Sequence, residues 1–156
     1  MADAREALIM QSLVTRLRTI TTANGYNTNV QKVFGDEIPM GISLEEYELP
    51  AIFVINMKSN YQYQQSCVIV KTMYELQLIH NATVGDSIMS NFKRDIARAI
   101  HADSPAVKRT DAFREFEGKP TSARMVDNEP DLYMIDANRI YCFQWEFEYH
   151  AHATDL

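Results

Sequence analysis

The ten residues from Ile140 to Tyr149 constrain the fold more than any other stretch of this chain. Tyr141, Phe143, Trp145, Phe147 and Tyr149 fall on one parity, and Cys142, Gln144, Glu146 and Glu148 fall on the other. Successive side chains of a strand point to opposite faces, so this pattern is a strand with one aromatic face and one polar face. The aromatic row alone amounts to several hundred Å² of apolar surface on the order of its component side chains, and it needs cover. Two amphipathic helices elsewhere in the chain can supply that cover.

In the first, Leu8 or Ile9, Leu13, Leu17 and Ile20 recur at helical spacing, with Gln11, Ser12, Thr15, Arg16 and Thr19 on the wetter side. Asp3 and Glu6 have the spacing of a variant capping box, so the pattern predicts a helix of about 18–20 residues. It turns on Asn24-Gly25, where glycine supplies the left-handed conformation that a helix terminus favours. The second helix is predicted over Val84 to His101: Ile88, Phe92, Ile96 and Ile100 recur every four residues, and Met89 and Ala99 widen the stripe. Lys93, Arg94 and Arg98 fall on its exposed side, and Ser104-Pro105 stops it.

The remaining strands follow from shorter patterns. Val30 to Phe34 reads as a short strand after the turn, and Ala51 to Met57, launched by Pro50, is apolar on both faces and so belongs centrally in a sheet. Ser59 to Ser66 is read as a polar connection. A long strand runs from Cys67 to about His80, with Val68, Val70, Tyr74, Leu76 and Leu78 on one parity and Lys71, Glu75 and Gln77 on the other. Val107 to Gly118 reads as a variable loop with a short strand near Phe113 to Phe116. Thr121 to Val126 is predicted as an edge strand, followed by a turn at Asp127-Asn128-Glu129-Pro130. Together these predict an α+β fold: one domain over residues 1–156, with a mostly antiparallel or mixed β-sheet of about five strands and both α-helices on one face. A chain of 156 residues is long enough for one such core.

The formal net charge of -6 argues against a basic nucleic-acid-binding face and suits a protein partner, or a surface that must not hold DNA. Cys67 and Cys142 each lie in an apolar run with no second cysteine nearby, so no zinc or redox spacing exists. The longest apolar patch near the start, Ala7 to Met10, is too short for a signal peptide, and no run approaches a membrane span. The expectation is a soluble protein of a reducing compartment, away from membranes.

Catalytic patterns are sparse. His150-x-His152 could offer two imidazoles to a metal, but His80 and His101 sit at a strand end and a helix end, and no closed ligand set assembles; no metal site is expected. Glu146 and Glu148 share one strand face, as paired carboxylates of a hydrolase or lyase would, but solvent-facing strand residues do the same. There is no nucleophile elbow and no phosphate-cradling glycine loop. The chain is therefore read as a non-enzyme without cofactor.

Two charged regions remain. Residues 35–49 hold Asp36, Glu37, Glu45, Glu46 and Glu48 and no Lys or Arg, as a docking or channel-lining loop would; inside a ring, such a loop would repel a passing polyanion. Lys93, Arg94, Arg98, Lys108 and Arg109 cluster around the second helix and could meet that loop on a neighbouring copy, a head-to-tail contact that closes rings.

The opening helix running into Thr21-Thr22-Ala23-Asn24-Gly25-Tyr26-Asn27-Thr28, then Val30-x-x-Val33-Phe34-Gly35 and the acidic loop leading to Glu48-Leu49-Pro50-Ala51, resembles the tail terminator (tail completion) proteins of tailed bacteriophages. The later order is similar as well: a long strand, a helix carrying Phe92-x-x-Asp95-Ile96-x-x-Ala99-Ile100, and a terminal strand ending Phe147-Glu148-Tyr149. The resemblance implies a small α+β subunit of a virion, forming a hexameric ring at the head-proximal end of the tail tube. There it stops tube polymerisation and meets the neck or connector, while DNA passes through without specific binding. It implies no catalytic residue and no cofactor, and it leaves contact with a tail sheath open. The competing readings are another neck or head-completion protein, and a soluble adaptor that docks an extended peptide against a sheet edge, using the exposed parity of the Cys67–His80 strand and the polar Tyr61/Tyr63 connection.

Overall fold

A computed structural model describes residues 4–35, 48–81, 87–101, 120–126, 131–135 and 138–152. Helix α1 spans Arg5–Leu17, a 3-10 turn spans Thr22–Asn24, and helix α2 spans Ser87–His101. The strands are β1 Lys32–Phe34, β2 Ala51–Tyr63, β3 Val68–Asn81, β4 Ser122–Met125, β5 Asp131–Ile135 and β6 Asn138–Ala151. They form one mixed sheet in the order β1-β2-β3-β6-β4, with β5 also paired to β6. Among the described strands, β1 and β2 run parallel and the other pairings are antiparallel. The predicted α+β architecture is therefore what the chain adopts.

The aromatic parity of β6 faces the helices. Tyr141, Phe143, Trp145, Phe147 and Tyr149 are buried in one cluster with Val70, Tyr74, Leu76 and Leu78 of β3, Ile52 and Val54 of β2, and the stripes of both helices. Both helices thus cover the same face of the sheet. Tyr74 and Phe147 meet edge to face at 5.6 Å, the arrangement that ring quadrupoles favour.

Several local expectations are corrected. Helix α1 has 13 residues and a plain Ala4 cap with no side-chain bond to it, while Asp3 lies outside the described residues. The helix ends early because Thr19, whose hydroxyl donates to the Arg16 carbonyl at 2.6 Å, and Ile20 leave the helical path before the 3-10 turn. Gly25, at φ 86°, closes that 3-10 turn, the left-handed role expected of it. Arg16 is not on a wet face: it is buried, and its guanidinium donates to the Ile100 carbonyl at 3.1 Å, tying the C-terminal end of α2 to α1. Ser59 to Tyr63 is strand, because β2 continues past a bulge at Met57 and stays paired with β3 to Tyr63↔Val68. Only residues 64–67 form the hairpin turn.

The described sheet has six strands where about five were expected: β5 occupies residues between the predicted turn at Asp127–Pro130 and the strand at Ile140, to which the sequence patterns assign no element. β4 and β5 lie on the same side of β6, paired with residues 145–148 and 138–142 respectively, so they are two segments of a single lateral edge. The strand expected near Phe113 to Phe116 and the first residues of the predicted second helix lie outside the described residues. The parallel strand β1 covers only Ala51 to Phe53 of β2. Beyond Phe53, no described strand pairs with the outer side of β2.

Candidate functional site

Asp95 is a charged residue in the apolar stripe of α2, fully buried. Its carboxylate accepts the backbone N–H of Asn27 at 2.9 Å, the N–H of Thr28 at 2.7 Å, the Thr28 hydroxyl at 2.6 Å and the Asn27 side-chain amide at 3.3 Å. A buried carboxylate is tolerated only when its lone pairs are met in this way. Arg98, one turn on, lies 3.7 Å from Asp95, donates to the Gly25 carbonyl at 3.2 Å and stacks over the Tyr26 ring at 4.9 Å. The junction fixes the turn after α1 against α2, and joins two segments far apart in sequence.

This geometry redistributes the expected basic cluster. Arg98 is used inside the chain and Lys93 is half-buried, whereas Arg94 is exposed to solvent. Lys108 and Arg109 lie outside the described residues, as do Asp36, Glu37, Glu45 and Glu46. Of the acidic loop only Glu48 is described, half-buried just before the cis Leu49–Pro50 bond.

The candidate catalytic groups lie against one another, a guanidinium or a backbone carbonyl. Glu146 is paired with Arg124 at 3.0 Å, and Glu148 lies 3.2 Å from His150. His152 contacts the Ser66 carbonyl at 3.3 Å. Among the described residues, no three His, Cys, Asp or Glu side chains gather in a group that could hold a metal ion. Cys142 is buried and Cys67 half-buried.

A second polar cluster lies where the start of α1 meets the sheet. Tyr61 donates to Glu6 Oε1 at 2.8 Å, and Tyr74 donates to the Glu6 carbonyl at 2.5 Å. The Arg5 guanidinium lies 4.2 Å above the Tyr149 ring and donates to the His150 carbonyl at 2.7 Å. Burial works against the Glu6 carboxylate, but hydrogen bonds from Tyr149, its own backbone and Tyr61, with the charge of Arg5, outweigh it and hold its pKa below 4.5. Burial, reinforced by Glu6, pushes the Tyr149 hydroxyl well above its ordinary pKa. Sequence reasoning missed both clusters. The signal available was a carboxylate at a core position of α2, and tyrosines two apart at Tyr61 and Tyr63.

His80 stands edge-on to Phe92 at 5.7 Å, and burial lowers its pKa below 6.5. A depressed folded pKa means that the unfolded chain takes up the proton first, so stability falls as pH drops below about 6.5. Glu6 adds a further loss as pH falls below 4.5 toward its folded pKa, since its charged form is the stabilised one. Urea midpoints measured from neutral pH down to pH 5 should therefore decline, and His80→Gln should flatten that decline. An unchanged slope in the variant would remove His80 from the account.

The four exposed large apolar side chains among the described residues lie on the two lateral strands of the sheet: Met57, Tyr61 and Tyr63 on β2, and Leu132 on β5. No described helix is long and apolar enough to cross a membrane. No protein-family model matches the chain, and no curated protein matches it.

Proposed function

We propose that this chain is a structural virion protein of a tailed bacteriophage: a tail terminator that closes into a ring, hexameric as its resemblance implies, on the head-proximal end of the tail tube. The observation that carries this reading is the Asp95 junction. The Tyr26-Asn27-Thr28 turn and the Phe92-x-x-Asp95-Ile96 helix, two of the segments that resemble the family, are bonded directly to one another. Supporting it, the subunit has two unlike lateral edges, β1–β2 on one side and β4–β5 on the other, and an unlike pair is what a head-to-tail ring needs. In this reading residues 35–49 rim the channel, and Arg94, Lys108 and Arg109 meet a neighbouring copy. The protein acts by shape: one ring face repeats the tube, the other accepts no further tube ring and receives the neck. No residue does covalent chemistry, no cofactor is used, and DNA only passes through.

The test is tube polymerisation in vitro with and without the purified protein. Added protein should arrest tube growth and sit at one tube end in negative-stain images. Tubes that lengthen at the same rate with bare ends would overturn the reading. The exposed outer side of β2 favours one alternative, an adaptor that adds an extended peptide to the sheet; a peptide ligand recovered from a pull-down without tail proteins would support it.

A further inference from the structure

We infer that neighbouring copies join by strand addition, the β4 edge of one copy pairing antiparallel with the Lys58–Tyr63 edge of the next. This rests on the ring reading and specifies its lateral contact.

The argument starts from register. Continuous rows of paired residues cross the sheet: Asn60–Lys71–Glu148–Ser122, Ser59–Thr72–Phe147–Ala123, and Lys58–Met73–Glu146–Arg124. The two lateral segments therefore stand at the same height on opposite sides of the subunit. They also run in opposite senses, since β2 and β6 point one way and β3 and β4 the other. Rotation about an axis along the strands carries one copy's β4 beside the next copy's β2 with antiparallel sense, the pairing that needs no further turn of the chain.

Both segments are available for this. Asn56 to Tyr63 is exposed apart from half-buried Ser59, β4 alternates between exposed and half-buried, and no described strand covers the outer side of either. An edge strand of this length, carrying unpaired N–H and C=O groups and no proline, is a template for another strand. The side-chain rows also match: Ala123 falls beside Ser59 on the helix side, and Ser122 beside Asn60 on the other. Arg124 falls beside Lys58, but it is already neutralised by Glu146 at 3.0 Å, so the row does not oppose two bare cations. The bulge at Met57 ends the regular stretch and sets where pairing stops. A second copy is the occupant because it supplies a strand of the right sense at the right height.

Asn60 and Ser122 are the pair to cross-link, since directly opposed antiparallel residues have Cα atoms about 4.5–5.5 Å apart, within disulfide range. Cys67 and Cys142 are first replaced by Ala. In that background the double variant Asn60→Cys with Ser122→Cys should give, on oxidation, a ladder of covalent multimers on non-reducing gels, and an equal mixture of the two single variants should give dimers only. Each single variant alone should stay uncross-linked. Dimers from Asn60→Cys alone would show two β2 edges pairing with each other and would overturn the inference. So would a double variant that folds by circular dichroism, yet fails to cross-link both at high concentration and on tube ends. A ladder without tube capping leaves the strand pairing standing and removes the terminator reading; capping without a ladder does the reverse.

Discussion

Phe147→Ala is expected to destabilise the protein by about 3–5 kcal/mol, the loss typical of a large aromatic truncated in a packed core. Phe147 has no exposed surface, stands edge-on to Tyr74, and sits on β6, which pairs with β3 along its whole length and holds β4 and β5 as well. The cost has two sources. The apolar transfer energy of the ring is lost, and a cavity is left that cannot collapse, because the sheet behind it is pinned by continuous ladders. Lys71→Ala serves as the control: its side chain is exposed on the opposite face, so its effect should stay within about 0.5 kcal/mol. Equilibrium urea unfolding with a shared slope checks both. A Phe147→Ala loss near that of the control would mean that the aromatic face of β6 is not the core.

Asp95→Ala should cost about as much, roughly 3–5 kcal/mol, by a different mechanism. Removing the carboxylate strands the backbone N–H groups of Asn27 and Thr28 and the Thr28 hydroxyl without their acceptor, and leaves Arg98 without its nearby anion. Asp95→Asn keeps one acceptor oxygen but turns a donor toward the other partners, so it should fall between wild type and alanine. Hydrogen exchange reads the junction directly: the Asn27 and Thr28 amides should lose protection in Asp95→Ala by more than the β3 amides do. Unchanged protection at those two amides, with stability close to wild type, would dismiss the junction as a structural element.

The contrast between these two residues shows what the sequence makes legible. Phe147 belongs to an alternation that only a half-buried strand produces, and the four-residue recurrence of Ile88, Phe92, Ile96 and Ile100 likewise admits one reading. Periodicity reports burial when the buried residue is apolar. It is silent on Asp95 and misleading on Arg16, because each is buried for a hydrogen bond to a partner remote in sequence. The Ser59–Tyr63 half of β2 was misread for the opposite reason: its residues are polar because one side of the strand is open, and local composition then resembles a loop. Leu132 to Ile135 pairs locally with β6, Ile135 opposite Asn138, but a four-residue apolar run has no periodicity that separates strand from helix. Of the candidate site, the positions of Lys93, Arg94, Arg98 and Glu48 are described, and Arg98 serves the junction rather than an outer surface. The two motif segments were legible separately; that one carboxylate binds them together was not.

In the proposed function, identical subunits act by closing a ring around an axis. Native mass spectrometry of the protein bound to tail-tube ends measures this most directly. The expected result is one closed assembly with a single copy number, six on the resemblance, and no larger species as protein is added. A monomer on the tube, or a series of assemblies that grows without limit with concentration, would contradict it.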